Sequence, residues 1–156
     1  MRRNDLEITN LNKIIKILDK SPTLRLGLHD NPYPYVVPLS YGYSIKNNTI
    51  EFYIHGASIG KKHNLIKKNN FVCVEADYIE AYELTKLSAT TKYSSIIAYG
   101  KIFTITDENE RLNAISSIST HCGLENLKIN KNLFKKVKMY KIIVDEISAK
   151  SNLYKK

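Results

Sequence analysis

The sequence predicts a mainly β fold of the α+β type, a small antiparallel barrel with peripheral helices. Three observations carry this. At least six apolar or alternating stretches read as strands, short turn clusters join them as hairpins, and the strand–helix alternation of a doubly wound sheet is missing. A chain of 156 residues corresponds to one domain, 1–156, with enough core to fold without staples. Closure of such a barrel would leave no sheet edge exposed.

The elements follow in order. Leu11, Ile14, Ile15 and Leu18 recur at helical spacing, with Lys13, Lys16 and Lys20 on the wet side and Ser21-Pro22 as the stop. LRLGLH is a first strand, and Asp30-Asn31-Pro32 turns it into YVVPLSYGYSI, where Pro38 requires an edge or a bulge. Lys46-Asn47-Asn48 makes a hairpin turn, and TIEFYIH returns with Ile50, Phe52 and Ile54 on one face. A short basic helix follows, then the strand FVCVEADYIE, in which Cys73 reads as a small buried hydrophobe. Glu80 to Lys92 is polar and reads as a loop over a site. SSIIAYGKIFTIT is a long strand with Gly100 at a bend. Asp107 caps a helix that turns Leu112, Ile115 and Ile118 or Ser119 inward. GLENLKINKN is the least structured stretch, and KVKMYKIIVDEIS is the last strand.

Composition excludes several function classes. With 43% hydrophobic residues and no apolar run near the ~20 a membrane helix needs, the chain is expected to be soluble and outside the membrane. MRRNDLEITN lacks the apolar core of a secretory signal, so a cytoplasmic location is expected. The two cysteines, Cys73 and Cys122, are then expected to be free thiols. The net charge of +9 is spread over helix faces and ends, and basic and aromatic residues do not interleave along one strand pair, so nucleic acid is not an expected partner. Paired-carboxylate, GxSxG, Walker and GxGxxG constellations are absent or surface features, with Glu75 and Asp77 read as solvated acids; the chemistry is therefore expected to belong to a cofactor.

The stretch that carries chemistry is YIHGASIGKKHNLIKKN. A strand ends at His55-Gly56, glycines at 56 and 60 allow close backbone approach, Lys61 and Lys62 supply charge, and the helix that follows offers unpartnered N–H groups. A phosphate fits such a junction. His29, His63 and His121 read as structural, His63 on the wet side of the basic helix. No metal is expected, because no cysteine pair or i, i+4 histidine pair accompanies them. Tyr33, Tyr35, Tyr41, Tyr43 and Tyr53 cluster on the strands beside this junction; Tyr41 is read as a ring for a planar ligand and the others as packing.

RRND, DNPYPYVVPLSYGY, IEFYIHGASIGKKHNLIKKN, FVCVEA and KYSSIIAYGKI, in this order, resemble the nitroimidazole-resistance (Nim) group of the pyridoxamine 5′-phosphate oxidase-like flavin proteins. The resemblance covers roughly residues 1 to 106 and weakens after Leu124. It implies an FMN-binding antiparallel split β-barrel and a homodimer with flavin sites at the subunit interface. By position, it implies that Val37, Pro38, Leu39, Ser40 and Tyr41 run beside the flavin ring, largely through backbone. It places His55, Gly56, Ala57, Lys61 and Lys62 around the phosphate, and has Tyr93, Ser94 and Ser95 given by the partner subunit. His55 is the implied functional residue near substrate. The implied activity is an FMN-dependent oxidoreductase that takes hydride from NAD(P)H and reduces a small planar acceptor such as a nitroimidazole. The alternative is a flavin- or haem-binding protein without turnover, with His55 as an axial haem ligand or gate.

Overall fold

The computed structural model describes residues 3–84, 86–125, 128, 134 and 136–153. Its strands are β1 (Glu7–Ile8), β2 (Leu24–Leu28), β3 (Tyr35–Leu39), β4 (Gly42–Lys46), β5 (Thr49–Ala57), β6 (Phe71–Leu84), β7 (Ala89–Thr104) and β8 (Val137–Ser151). The helices are α1 (Leu11–Lys20), α2 (Lys61–Lys68) and α3 (Glu108–His121). All strands pair antiparallel in one sheet of order β3-β2-β6-β7-β8-β5-β4, and β1 adds to β8.

The expected mainly β fold with peripheral helices is present, but the sheet does not close. β3 and β4 are its two ends. Each is only five residues long, and Ser40-Tyr41 between them leads the chain from one end of the sheet to the other rather than into a shared ladder. Pro38, which cannot donate to a ladder, sits in edge strand β3 opposite Arg25, as its chemistry requires. The other end is covered by α3: the Ser117 hydroxyl donates to the Tyr43 carbonyl at 3.1 Å, satisfying an edge acceptor from outside the sheet.

Local chemistry explains the turns and caps. Asn47 and Asn48 carry φ of 48° and 65°, the left-handed pair of a two-residue hairpin closed by Lys46 opposite Thr49. Asn10 caps α1 by accepting from the Lys13 amide at 3.2 Å, and Asp107 caps α3 by accepting from the Glu110 amide at 2.8 Å.

Several expectations are corrected. Glu80 to Lys92 is not a loop: β6 runs on to Leu84 and β7 begins at Ala89, so the ladder continues past a bulge at Ile79/Ala81 as a hairpin arm. The polar residues there lie on strands because the arm has solvent on both sides. α1 buries Ile14, Ile17 and Leu18, leaving Leu11 and Ile15 at the margin. α3 buries Ala114, Ile118 and Ser119 while Leu112 is exposed, because the helix lies directly on the backbone of Gly42, where small residues are needed. Cys73 faces outward and is half-buried; Val72 and Val74 take the inner face. Glu75 and Asp77 are bridged by Arg25 rather than solvated, with Arg25–Glu75 at 3.2 Å. GLENLKINKN falls largely outside the described residues.

The core has two parts. The larger lies inside the curved sheet under α1, built on Leu24, Leu26, Phe52, Ile54, Ile96 and Ile142 among others. The smaller lies between β5, β8 and α3, around Tyr53, Ile105, Ala114, Ile118 and Met139. β5 is therefore buried on both faces, one against each core. β7 and β8 shift register at Tyr99/Gly100: Tyr99 opposes Glu146 and Gly100 opposes Val144, so Asp145 has no partner. A Cβ at Gly100 would stand 2.2 Å from the Ile143 carbonyl oxygen, so glycine permits this close approach.

Candidate anion cradle and cofactor site

β5 ends at His55-Gly56-Ala57, and Gly60, with φ of 115°, turns the chain into α2. That φ is in the region that favours glycine. The Lys62 side chain then folds back across the strand end. Its ammonium donates to the His55 carbonyl at 3.0 Å and lies over Gly56, where a Cβ would come within 2.6 Å of Nζ. Glycine at 56 is thus the space in which this ammonium sits.

The two lysines have different states. Lys61 pairs with Asp30 at 2.7 Å, and its ammonium lies 5.1 Å from the Tyr35 ring centroid. The Lys61 hydrogen bond holds the Asp30 carboxyl below its ordinary range. Lys62 is in none of the ion pairs among the described residues, and burial pushes its ammonium below the ordinary lysine value. A half-buried cation without a counter-charge favours an anion beside it.

His55 is half-buried, and its Nδ1 is buried without any hydrogen-bond partner. Burial, then the nearby Lys62 charge, lowers its pKa. An ammonium without a counter-charge and an imidazole nitrogen without a partner at one strand end are groups suited to a polar, anionic ligand. These residues fit a phosphate-bearing cofactor.

His63 is not on the wet side of α2. It is buried, and its Nδ1 is 2.9 Å from the Tyr140 hydroxyl, because the inward face of this short helix consists of His63, Leu65 and Ile66. Burial, then Lys138 and Lys67, lowers its pKa too. Below about pH 6.5 an unfolded chain accepts protons on both imidazoles that the folded chain resists, so this contribution is intact above that value and lost as pH falls through it. We expect the melting temperature to fall between about pH 7.5 and 5.5, and less steeply in His63→Gln. A melting temperature unchanged over that interval would show that both rings titrate freely.

The other expected site residues occupy two separate places. Val37 and Leu39 turn toward the core, while Pro38 and Ser40 are exposed on the outer side of the edge strand. The Tyr41 ring is fully buried: its hydroxyl donates to the Leu18 carbonyl at 2.9 Å, and the His121 ring packs 4.2 Å away. It is a core residue and offers no ring to a planar ligand. Tyr93, Ser94 and Ser95 lie at the start of β7, with Ser94 buried and donating to the Ser151 hydroxyl at 2.7 Å. Ser94 pairs with Ser151 and Ala57 with Val137, so the serines and the cradle lie at opposite ends of the 15-residue β8. One chain does not bring these two segments together.

Asp30 as the partner of Lys61, and Tyr140 as the partner of His63, were not legible in the sequence. Asp30 stands in the DNPYPY stretch, but nothing in its spacing assigns it an ion pair with a helix in another hairpin. Among the described residues, no three His, Cys, Asp or Glu side chains stand close enough to hold a metal, and no helix is long and apolar enough to cross a membrane.

Comparison with known proteins identifies the fold's relatives. No curated protein matches this chain. A 5-nitroimidazole antibiotic resistance protein, so proposed, from Bacteroides thetaiotaomicron shares 25% identity, covers 93% of this chain and 86% of its own, and superposes with a TM-score of 0.82. A flavocytochrome from Azotobacter vinelandii superposes with a TM-score of 0.77 at 18% identity, over 97% of this chain and 72% of its own. A FAD and heme binding protein from Mycobacterium smegmatis gives 0.74 at 15% identity, over 93% and 72%. The sequence model for pyridoxamine 5′-phosphate oxidase matches residues 11–151, nearly the whole chain, and the protein belongs to that family.

Proposed function

We propose that the protein is an FMN-dependent oxidoreductase that takes hydride from a reduced nicotinamide and passes electrons to a small planar acceptor of the nitroaromatic class. The observation that carries this reading is the Lys62 ammonium, half-buried without a counter-charge on the His55 carbonyl, at a strand end whose His55 Nδ1 also has no partner. Lys62 would neutralise the cofactor phosphate, with Lys61 completing the positive rim. His55 would donate or accept one hydrogen bond at Nδ1, toward cofactor or substrate. The flavin itself supplies the hydride and electron chemistry. Likeness to the Bacteroides resistance protein supports the acceptor class.

The working unit would be a homodimer. Tyr93–Ser95 stand too far along β8 from the cradle to share a ligand within one chain, so a second copy would supply them. The outer sheet face presents Val36 at 58%, Phe71 at 56% and Tyr99 at 52% exposure, apolar surface that a second copy would cover. Such a reductase, using reduced nicotinamides, would work in the cytoplasm.

The test is the absorbance spectrum of the purified protein with and without added FMN, followed by anaerobic reduction with NADH or NADPH and reoxidation by a nitroimidazole. A flavin spectrum that bleaches and recovers is the expected result; a flavin that binds but is never reduced by either donor would sink the enzyme reading. A second reading, storage or sensing without turnover, draws on the unpartnered His55 nitrogen and on the heme named for the similar Mycobacterium smegmatis structure. A Soret band after addition of haemin, abolished in His55→Ala, would select it.

A further inference from the structure

A second cationic cavity lies next to the cradle but is lined by different residues. It encloses about 330 Å³ where the ends of β5, β7 and β8 meet α3. Arg111, Lys136 and Lys138 contribute cations and Ser58, Thr104 and Thr106 contribute hydroxyls, and no carboxylate lines it. Arg111 is fixed in place: its Nη2 donates to the Phe134 and Val137 carbonyls, each at 3.0 Å, and its guanidinium lies 4.5 Å from the Phe134 ring centroid.

Among the described residues none of these three cations is in an ion pair, although the chain neutralises others nearby; Glu110, next to Arg111, is taken by Lys141 at 2.5 Å. Three like charges around one cavity repel unless an anion joins them. Three hydroxyl donors from two segments match an oxygen-rich anion rather than a single carboxylate contact. The floor residues Val137 and Met139 are cross-strand partners of Ala57 and His55, so the cavity lies at the same end of β5 and β8 as the cradle but on the smaller-core face, opposite the face where the Lys62 ammonium covers Gly56.

We propose that this cavity is a second oxyanion subsite, which takes a phosphoryl group of the nicotinamide donor while the Lys62 cradle takes that of the flavin. The identity of the donor rests on the reductase reading; the oxyanion chemistry of the cavity does not. The two phosphoryl-bearing ligands would then be held at one end of β5, on its two faces.

The probe is inorganic pyrophosphate, titrated calorimetrically into the protein with and without saturating FMN. Wild type, Lys136→Gln/Lys138→Gln and Lys61→Ala/Lys62→Ala are compared, with Lys136→Gln alone as the mildest change. Pyrophosphate should bind whether or not FMN is present, and the Lys136/Lys138 double variant should lose about tenfold or more of its affinity. The Lys61/Lys62 variant should keep this site and lose only the pyrophosphate binding that FMN competes away. Absence of binding, loss of binding on FMN saturation, or sensitivity only to Lys61 and Lys62 would overturn the subsite. NADP+ should displace pyrophosphate from wild type; failure to do so would remove the donor and leave a site for free oxyanions. Pyrophosphate binding through Lys136 and Lys138 in a protein that takes no FMN would refute the reductase reading and leave the subsite standing.

Discussion

Lys62→Ala should weaken FMN binding by about 10- to 100-fold, the loss expected when a half-buried charge-assisted contact to phosphate is removed. Lys61→Ala should cost far less, because Asp30 already holds that ammonium at 2.7 Å and the cofactor would have to compete for it. The asymmetry is the informative result: two adjacent lysines in one motif differ because one is paired and exposed and the other is unpaired and folded over Gly56. Quenching of FMN fluorescence on titration measures both affinities. Equal losses would mean that the Asp30 pair opens on binding, and no loss in Lys62→Ala would remove the phosphate assignment. Because Lys62 also donates to the His55 carbonyl, the melting temperature of each variant must be recorded alongside to separate binding from folding.

Gly42→Ala should destabilise the fold by about 3 kcal/mol, at the upper end of ordinary overpacking. The added Cβ would stand 2.4 Å from the Ser117 carbonyl carbon and 2.5 Å from the Ile118 nitrogen, both backbone atoms of α3. A flexible side chain could move aside; a helix backbone must move as a body. Displacing α3 would break the Ser117–Tyr43 bond that covers the sheet end and loosen Ile118 and Ala114 from the smaller core. The melting temperature should drop by roughly 10 °C at this chain length. A drop of only a degree or two would show that α3 can slide without loss, and that its contact with β4 is less exacting than the geometry indicates.

What the sequence could reveal was chemistry confined to a few consecutive residues. Asn47-Asn48, Asp107, Pro38 and the Gly60-Lys61 helix start all act through their own backbone or the next turn, so their roles are readable without knowing the fold. The buried state of His63 depends on Tyr140, and the neutral pairing of Lys61 depends on Asp30; each partner comes from another hairpin, and no spacing rule links them. The stretch from Glu80 to Lys92, rich in Glu, Lys, Ser and Thr, reads as a loop because a strand pair extending into solvent has the same composition. The Tyr41 ring, expected to stack on a planar ligand, lies in the core instead for a similar reason, which leaves its expected backbone role beside a flavin open. Aromatic rings beside a candidate site are chemically suited both to ligand stacking and to core packing, and only the position of α1, whose Leu18 carbonyl receives the hydroxyl, decides between them. For the candidate site, the motif marked the cradle, while the distance between it and Tyr93–Ser95 appeared only once the register of β8 was known.

The unpaired Asp145 gives β8 two reading frames. Before it, even-numbered residues face the larger core, as Tyr140, Ile142 and Val144 do; after it, odd-numbered ones do, with Ala149 and Ser151 buried. One extra residue therefore works as a phase shifter, letting a single strand serve two packing schedules that simple alternation could not satisfy together. Were Asp145 paired in regular alternation instead of bulged out, composition and charge would be unchanged, yet the far half of the strand would turn inside out; deleting it would leave every other residue on its present face. Fitness of the two halves for each other thus rests on the bulge that absorbs one residue as much as on the residues that pair.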